Sequence, residues 1–269
     1  MLKKVGVGLC VLLCAVIIYF VCAFFGNPVS KILATKNTEE YVQENWPDAV
    51  YNIEAVKYDF KTSAYCVIVT APDSIDNHFT VYCGLDGKIS YDTYESCVLK
   101  KWNAAERIND EYRKAVDDLF DSDEFLYDSD IFFGDIDFAD SDYSADENTP
   151  DYAIKTENLI LDAQYDVNEI GKKAGCLTVY VYNDVVTAEK LAEILIDIKA
   201  LMDKGNVAFR AVNCVLEYTR AEDGSQIKSD RLEVRRFLYD DIYEDGLVER
   251  VKAADAAARE YYEKQDLLK

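Results

Sequence analysis

The pattern of apolar and polar residues begins with one long apolar run at residues 5–25. The run contains no charged residue and no proline, and Lys3 and Lys4 precede it. At about 1.5 Å per helical residue it would reach roughly 30 Å, the thickness of the hydrocarbon core of a bilayer. The pattern therefore predicts a transmembrane anchor over residues 1–27. The two lysines favour the cytoplasmic side, which leaves the rest of the chain outside the cell.

A cleaved signal peptide is the alternative interpretation of the same run. Val21 and Ala23 could serve as the small residues of a cleavage site. The run is longer than the apolar core of a typical signal peptide, however, and this favours the uncleaved anchor. The expected location is the cell membrane, with a single span and an extracellular soluble part.

Residues 28–121 have the pattern of a first α+β domain. Asn27 and Pro28 are typical of a helix start, and Pro47 ends that helix. Alternating apolar residues then predict four strands of an antiparallel meander, at residues 53–60, 65–70, 79–83 and 89–91. Apolar residues at steps of three and four predict a long helix over residues 93–121, lying across one face of this sheet.

Residues 122–150 are predicted to form an acidic connector. No Lys or Arg occurs in residues 115–154, whereas aspartate recurs throughout. Apolar residues in the middle of the connector predict an edge strand at residues 130–138. The polar composition of residues 141–150 predicts disorder.

Residues 151–269 are predicted to form a second α+β domain with the order β-α-β-β-α. Its strand patterns cover residues 177–182, 209–218 and 232–238. Thr187 and Gly205 bracket a helix between the first two strands, and a last helix covers residues 245–265. A strand-helix-strand crossover places its two strands parallel. The predicted fold class is α+β: an N-terminal transmembrane helix followed by two small domains.

The charge of the chain excludes some classes of partner. The formal net charge is −22, and all 51 acidic residues follow the apolar run. Such a field repels phosphate backbones, so we expect no nucleic-acid partner. The partners that the sequence predicts are the membrane, through the single N-terminal span, and a protein at the cell envelope.

One pair of cysteines, Cys66 and Cys83, is a candidate disulfide. If Thr70 faces Phe79 across the hairpin, these cysteines also face each other. Facing residues on neighbouring strands are somewhat farther apart than a disulfide prefers. The sequence therefore leaves both a strained disulfide and two free thiols open.

The candidate metal ligands are Asp140, Asp142, Asp146 and Asp151. Their spacing is similar to that of a calcium-binding loop. Ala145 stands where such a loop needs glycine, and Asp151 stands where it needs a bidentate glutamate. These departures favour a solvated acidic connector over a calcium site.

No catalytic or cofactor-binding residue is assigned from the sequence. His78 is the single histidine, and its position just before a strand is typical of a turn. No glycine-rich phosphate loop follows a strand, and no carboxylate pair stands out among so many acids. We therefore expect no cofactor.

Several segments, spread from the apolar run to the last helix, carry a family resemblance. They are FFGNPVSK, YDF, HFTVY, DTYE, KKWNAAERINDEYRKAVDDL, TAEKLAEILIDIKALMD and FLYDDIYEDGLVERVKAA. They resemble the YfjL-like family of single-pass extracytoplasmic proteins of Gram-positive bacteria. The resemblance implies an N-terminal and a C-terminal YfjL-like domain, and it implies no activity. The order of elements in the first domain is also similar to that of PepSY-type modules.

These observations predict a membrane-anchored extracytoplasmic protein that acts by interaction or sensing, and not an enzyme. The alternatives are an envelope hydrolase that uses carboxylates and a calcium-dependent binding module. A packed cleft with convergent carboxylates would favour the hydrolase, whereas a bare sheet edge or an apolar patch would favour the interaction module.

Overall fold

The computed structural model describes residues 12–13, 16–17, 20–140, 149–221, 224–225, 228 and 230–267. The chain divides into two compact units. Unit 1 comprises residues 1–104 and 159–162, and unit 2 comprises residues 105–158 and 163–269. The predicted α+β fold class is confirmed, since each unit combines helices with a sheet.

The beginning of the chain is described in part. Residues 20–25 are helical. Within the described ranges, none of the helices is both long and apolar enough to cross a membrane. The predicted span over residues 5–25 includes residues 5–11, 14–15 and 18–19, which lie outside those ranges. The anchor therefore stays a prediction.

Unit 1 is built from one helix packed on a four-stranded antiparallel meander. Helix α1 (Pro28–Asn45) begins as predicted, because the Asn27 side chain accepts a hydrogen bond from the Ser30 backbone N–H at 2.8 Å. The strands, in spatial order, are β1 (Asn52–Asp59), β2 (Ala64–Thr70), β3 (His78–Cys83) and β4 (Ile89–Asp92). Since α1 packs against this sheet, alternate residues of β2 and β3 are buried.

The register of the β2–β3 hairpin differs from the prediction by one residue. Cys66 lies opposite Tyr82, and Cys83 lies opposite Tyr65. Because successive residues of a strand face opposite sides of the sheet, Cys83 points into the core and Cys66 points to the other face. The predicted facing of Cys66 and Cys83 is therefore wrong, and both are free thiols.

The helix predicted over residues 93–121 is interrupted. A π-helical turn (Glu95–Leu99) comes first, and helix α2 (Trp102–Phe120) follows it. Lys101 lies between them with a φ of 60°, a left-handed conformation that a continuous α-helix does not contain.

The greater part of α2 belongs to unit 2, whereas the sequence analysis placed it in a first domain of residues 28–121. Its buried Tyr112 explains the difference. A Cβ atom built at Gly175 would lie 2.5 Å from the Tyr112 hydroxyl oxygen, and one at Gly134 would lie 2.9 Å from the ring. The Tyr112 hydroxyl donates a hydrogen bond to the Ala208 carbonyl at 3.1 Å. Glycines thus let α2 pack closely on unit 2.

Unit 2 has a mixed sheet at its centre. Its elements, in chain order, are β5 (Asp128–Ile136), β6 (Phe138–Ala139), β7 (Ile154–Lys155), α3 (Val167–Ala174), β8 (Gly175–Asn183), α4 (Ala188–Lys204), β9 (Ala211–Tyr218), β10 (Arg231–Leu238) and α5 (Leu247–Leu267). The sheet order is β10-β9-β8-β5. Strands β8 and β9 are parallel, as predicted for a strand-helix-strand crossover, and the other neighbours are antiparallel.

Two predictions about unit 2 are confirmed. Thr187 caps α4, its side chain accepting a hydrogen bond from the Lys190 N–H at 3.2 Å. The acidic connector also contributes an edge strand, because β5 pairs antiparallel with β8 where residues 130–138 predicted one. The unit therefore begins well before the predicted limit at residue 151. Helix α3 and the short parallel pair of β6 and β7 were not predicted.

Candidate functional site

Aromatic rings cluster at the C-terminal end of α1 in unit 1. The ring centroid of Trp46, the residue that follows the helix, lies 4.4 Å from that of Tyr94 and 5.0 Å from that of Phe79. Tyr41 and Tyr51 meet Trp46 edge-on at 5.8 and 6.1 Å. Such aromatic pairs contribute more stability than the burial of their surface area alone would give. Trp46 thereby fastens the end of the helix to the sheet.

A groove of about 360 Å³ opens beside this cluster, between the end of α1 and the start of β1. Its apolar walls are Val42, Trp46, Pro47, Tyr51, Ile53 and Val69. We call it the α1–β1 groove. Most of the lining side chains keep contact with solvent, so the groove is open to a second molecule.

Strand β1 forms the outer edge of the sheet at this groove. Among the described residues it pairs with β2 alone, and a β-bulge lies between Ile53 and Ala55. The outward N–H and C=O groups of such an edge can pair with an added strand. The groove and the edge together can hold an extended segment, with backbone pairing along β1 and one side chain in the groove.

Acidic side chains lie on the elements that form the α1–β1 groove. Glu39 lines it, and Glu44, Asp48 and Glu54 follow on the same helix end, turn and strand, all exposed. The last turn of α1 contains no basic residue, and the carbonyl groups at a helix C-terminus add partial negative charge. The field at the groove therefore favours a positively charged occupant.

The phenols near the groove are held in their neutral form. The Tyr41 hydroxyl donates to Asp92 Oδ2 at 2.6 Å, and this hydrogen bond together with burial raises the pKa of Tyr41 to about 12. Burial also raises the pKa of Tyr51. Both groups remain protonated at neutral pH, so they offer hydrogen bonds and ring faces and do not act as bases.

Unit 2 contains a cavity of about 400 Å³ near the end of α4. Charged and phenolic groups on its wall pair with each other. Arg210 bonds to Asp240 at 3.0 Å, and the Tyr239 hydroxyl donates to Asp203 at 2.8 Å. Burial and this hydrogen bond raise the pKa of Tyr239 to about 12. These pairings use four of the polar side chains on the cavity wall, Arg210, Asp240, Tyr239 and Asp203.

A polar cluster of unit 2 surrounds Arg236 on the bulge of β10, where φ is 46°. The guanidinium donates to Asp137 at 2.6 Å and to the Tyr152 hydroxyl at 3.3 Å. Asn213 donates to the Cys176 sulfur at 3.3 Å, and burial raises the pKa of this thiol to about 12. The cluster ties the segment around β6 and β7 to the sheet and leaves Cys176 unreactive.

The structure separates the residues that the sequence singled out. His78 is the first residue of β3 and is half-buried, and its carbonyl accepts a hydrogen bond from the Asn103 amide at 2.6 Å. Cys66 lies on the face of the sheet opposite to Cys83. These residues do not form a common site.

The acidic candidates for a metal site fall at the edge of the described chain. Asp142 and Asp146 lie outside the described residues, Asp140 is half-buried and Asp151 is exposed. Across the part of the chain that the structure describes, no group of three or more His, Cys, Asp or Glu side chains could hold a metal ion. Metal binding by this segment stays a prediction.

The α1–β1 groove was not predicted from the sequence. Of the residues that line it, the sequence had singled out Pro47, as the end of the preceding helix. The available signal was the recurrence of aromatic residues at Tyr51 just before β1, at Phe79 in β3 and at Tyr94 just after β4. Their convergence depends on the packing of α1 on the meander, which periodicity alone does not specify.

The fold and the groove define a class of protein: a two-unit α+β protein with an open sheet edge beside an aromatic groove. The family follows from comparison. The model of the YfjL-like N-terminal domain matches residues 1–93, and that of the YfjL-like C-terminal domain matches residues 111–252. The chain therefore belongs to the YfjL-like family. No curated protein and no solved structure matched it, and its similarity in topology to PepSY-type modules stays a prediction.

Proposed function

We propose that this protein is a membrane-anchored extracytoplasmic protein that binds an extended, positively charged segment of another protein at the α1–β1 groove. The observation that carries the proposal is the aromatic groove beside the open edge of β1. Backbone hydrogen bonds along β1 would give affinity, and the side chain in the groove would give specificity.

The charge of the groove selects the partner. The exposed carboxylates of Glu39, Glu44, Asp48 and Glu54 would attract lysine and arginine side chains that flank the inserted one. A net charge of −22 also repels acidic partners over longer distances.

The anchor sets where this binding takes place. The uncharged run of residues 5–25 supports a single span with the two units outside the cell. Confinement to the membrane raises the effective concentration of the groove near other membrane proteins. A segment of modest affinity would then be sufficient for binding.

Peptide binding to the full-length protein in detergent tests the groove. The probes are ten-residue peptides that alternate valine with lysine and matched peptides that alternate valine with glutamate. We expect the lysine peptides to bind and the glutamate peptides to fail, with affinity falling as salt is added. Ala49→Trp fills the groove and should weaken binding about tenfold or more, a loss of about 1.4 kcal/mol.

Two pairs of matched variants distinguish an effect at the groove from a general effect of the substitution. Val50→Trp adds the same ring at the neighbouring exposed residue, outside the groove lining, and should leave binding unchanged. Glu54→Lys should weaken binding, whereas Glu95→Lys, which reverses an exposed charge elsewhere in unit 1, should not. Equal binding of lysine and glutamate peptides, or equal effects of Ala49→Trp and Val50→Trp, would contradict the proposal.

The anchor has its own test in intact cells. External protease should remove the two units from cells that express the full-length protein, and the remaining fragment should stay in the membrane fraction after alkaline extraction. Protection of both units until the cells are lysed would show that they lie inside. Recovery of both units in the medium without added protease, on a chain that lacks residues 5–25, would indicate a cleaved signal peptide instead of an anchor.

An envelope hydrolase is the second candidate, and Asp117 on α2 favours it. Its Oδ1 atom is buried and makes no hydrogen bond to any described residue, and burial raises its pKa. A carboxyl group of this kind is suited to general-acid chemistry. Asp117→Asn should abolish cellular function if the protein is a hydrolase and should preserve it if the protein acts by binding.

A further inference from the structure

The geometry points to a second contact surface: one end of unit 1 lies in the headgroup region of the bilayer that holds the anchor. We call this end the membrane-facing tip. It consists of residues 24–33, the β1–β2 turn at residues 60–63 and the β3–β4 turn at residues 84–88. This inference rests on the membrane anchoring proposed above.

The apolar run joins the folded unit without a long linker. Residues 20–25 are helical, and α1 begins at residue 28. Two residues, Gly26 and Asn27, therefore separate the apolar run from the folded unit, a reach of about 7 Å when fully extended. If the run spans the bilayer to residue 25, the tip cannot stand away from its surface.

The junction is also held by specific bonds. The hydroxyl of the buried Tyr65 accepts from the Asn27 N–H at 2.6 Å and donates to the Asn27 carbonyl at 2.8 Å. The Tyr58 hydroxyl donates to the Ala23 carbonyl at 3.2 Å, and the rings of Phe24 and Phe60 lie 6.2 Å apart. The end of the apolar run is thus fixed to the sheet of unit 1.

The same end of unit 1 exposes a set of apolar side chains. They are Phe24, Phe25, Val29, Ile32, Phe60 and Leu85. Phe25 is 80% exposed and Val29 is 67% exposed, values that an aqueous surface does not favour for large apolar residues. The Ser30 hydroxyl donates to the Leu85 carbonyl, and this bond holds the β3–β4 turn beside the start of α1. Separate segments therefore place their apolar residues together.

The charges of the tip suit a lipid interface. Lys31, Lys61 and Lys88 are exposed there. Lys88 pairs with Asp86 at 3.0 Å in the β3–β4 turn, and Asp59 ends β1 just before the β1–β2 turn. Lysine side chains can lie along apolar surface with the ammonium group among headgroups, and phenylalanine and tyrosine are common at that depth. The α1–β1 groove, lined by the opposite end of α1, is acidic instead. The bilayer would therefore hold unit 1 with the groove turned away from it.

Tryptophan quenching in reconstituted vesicles tests this orientation. The full-length protein is incorporated into vesicles of phosphatidylcholine and phosphatidylglycerol in equal parts, with or without bromine atoms on the lipid chains close to the headgroups. Phe60→Trp and Leu85→Trp each place a probe on a different turn of the tip, and Val50→Trp places one beside the groove. We expect the added fluorescence of both tip probes, but not that of Val50→Trp, to be quenched by brominated lipid.

Flotation of the same vesicles distinguishes the two proposals. If the protein floats with the lipid and the tip probes are not quenched, the anchor stands and the lipid contact of the tip is wrong. If the protein does not float, both the anchor and the tip contact are wrong. Equal quenching of all three probes would also overturn the orientation, because the groove end would then lie in lipid as well.

Discussion

At the scale of single residues, Asp117 is the clearest case of a side chain whose charged form is less stable in the folded protein than in water. Its Oδ1 atom is buried without a hydrogen bond to a described residue, and burial favours the neutral carboxyl, which raises the pKa above the ordinary 3.8. The charged form therefore costs stability near neutral pH.

Asp117→Asn should raise the free energy of unfolding at pH 7, because the amide carries no charge to be desolvated. Below pH 3.8 the carboxyl is protonated in both the folded and the unfolded state, so the gain should vanish there and grow as the pH rises. Urea unfolding at several pH values measures it. Asp118→Asn, at an exposed neighbour, is the control, and a gain that does not change with pH would contradict the assignment.

The cysteines give a second prediction at this scale. Of the cysteines that follow the apolar run, Cys66 and Cys97 are half-buried, whereas Cys83, Cys176 and Cys214 are buried. Burial raises the pKa of the Cys214 thiol to about 12, so little reactive thiolate is present in the folded state. Iodoacetamide should modify Cys66 and Cys97 first in the native protein, as read by mass spectrometry. Recovery of Cys66 and Cys83 in one disulfide-linked peptide would contradict the observed register.

At the scale of elements, α2 shows what hydrophobic periodicity predicts and what it does not. Its apolar stripe was predicted from spacing, since period and length depend on the local sequence. The sheet that covers the stripe was not predicted, because periodicity identifies an apolar face but not its partner. The sequence signal for the partner sheet was Gly134 and Gly175, where the lack of a side chain leaves space for Tyr112.

Tyr112 therefore tests the assignment of α2 to unit 2. Tyr112→Ala should cost about 3–5 kcal/mol by leaving a cavity, whereas Tyr112→Phe should cost about 1 kcal/mol for the lost hydrogen bond. Hydrogen exchange should rise in the strands of unit 2 and stay low in β2 and β3. Loss of protection confined to unit 1 would place the helix in the first domain after all.

The β2–β3 hairpin shows the second limit of prediction. Both strands were found by their alternation, but the register was off by one residue because the connection at residues 71–77 fixes the pairing and alternation does not. The Thr187 cap was predictable because the hydroxyl oxygen that accepts and the Lys190 N–H that donates lie within four residues of sequence. Features that need two distant segments, such as the α1–β1 groove, were not.

At the scale of the whole molecule, the family match extends over most of the chain, and its two parts correspond to the sheet of unit 1 and to most of unit 2. The sequence predicted the α+β class of the two units correctly, because alternation and helical periodicity are properties of the local chain. It placed the border between them wrongly, because β5 and most of α2 join the second sheet through contacts distant in sequence.

The central claim is that the edge of β1 and the α1–β1 groove capture a basic, extended segment of another protein at the cell surface. The most direct measurement is photo-crosslinking in living cells from Val50, beside the groove, compared with Tyr91 on the opposite edge strand β4; both are exposed. We expect adducts from position 50 that map to a lysine- or arginine-rich segment, lost with Glu54→Lys and kept with Glu95→Lys. Equal adducts from both edges, or adducts from position 50 that survive Glu54→Lys, would contradict the claim.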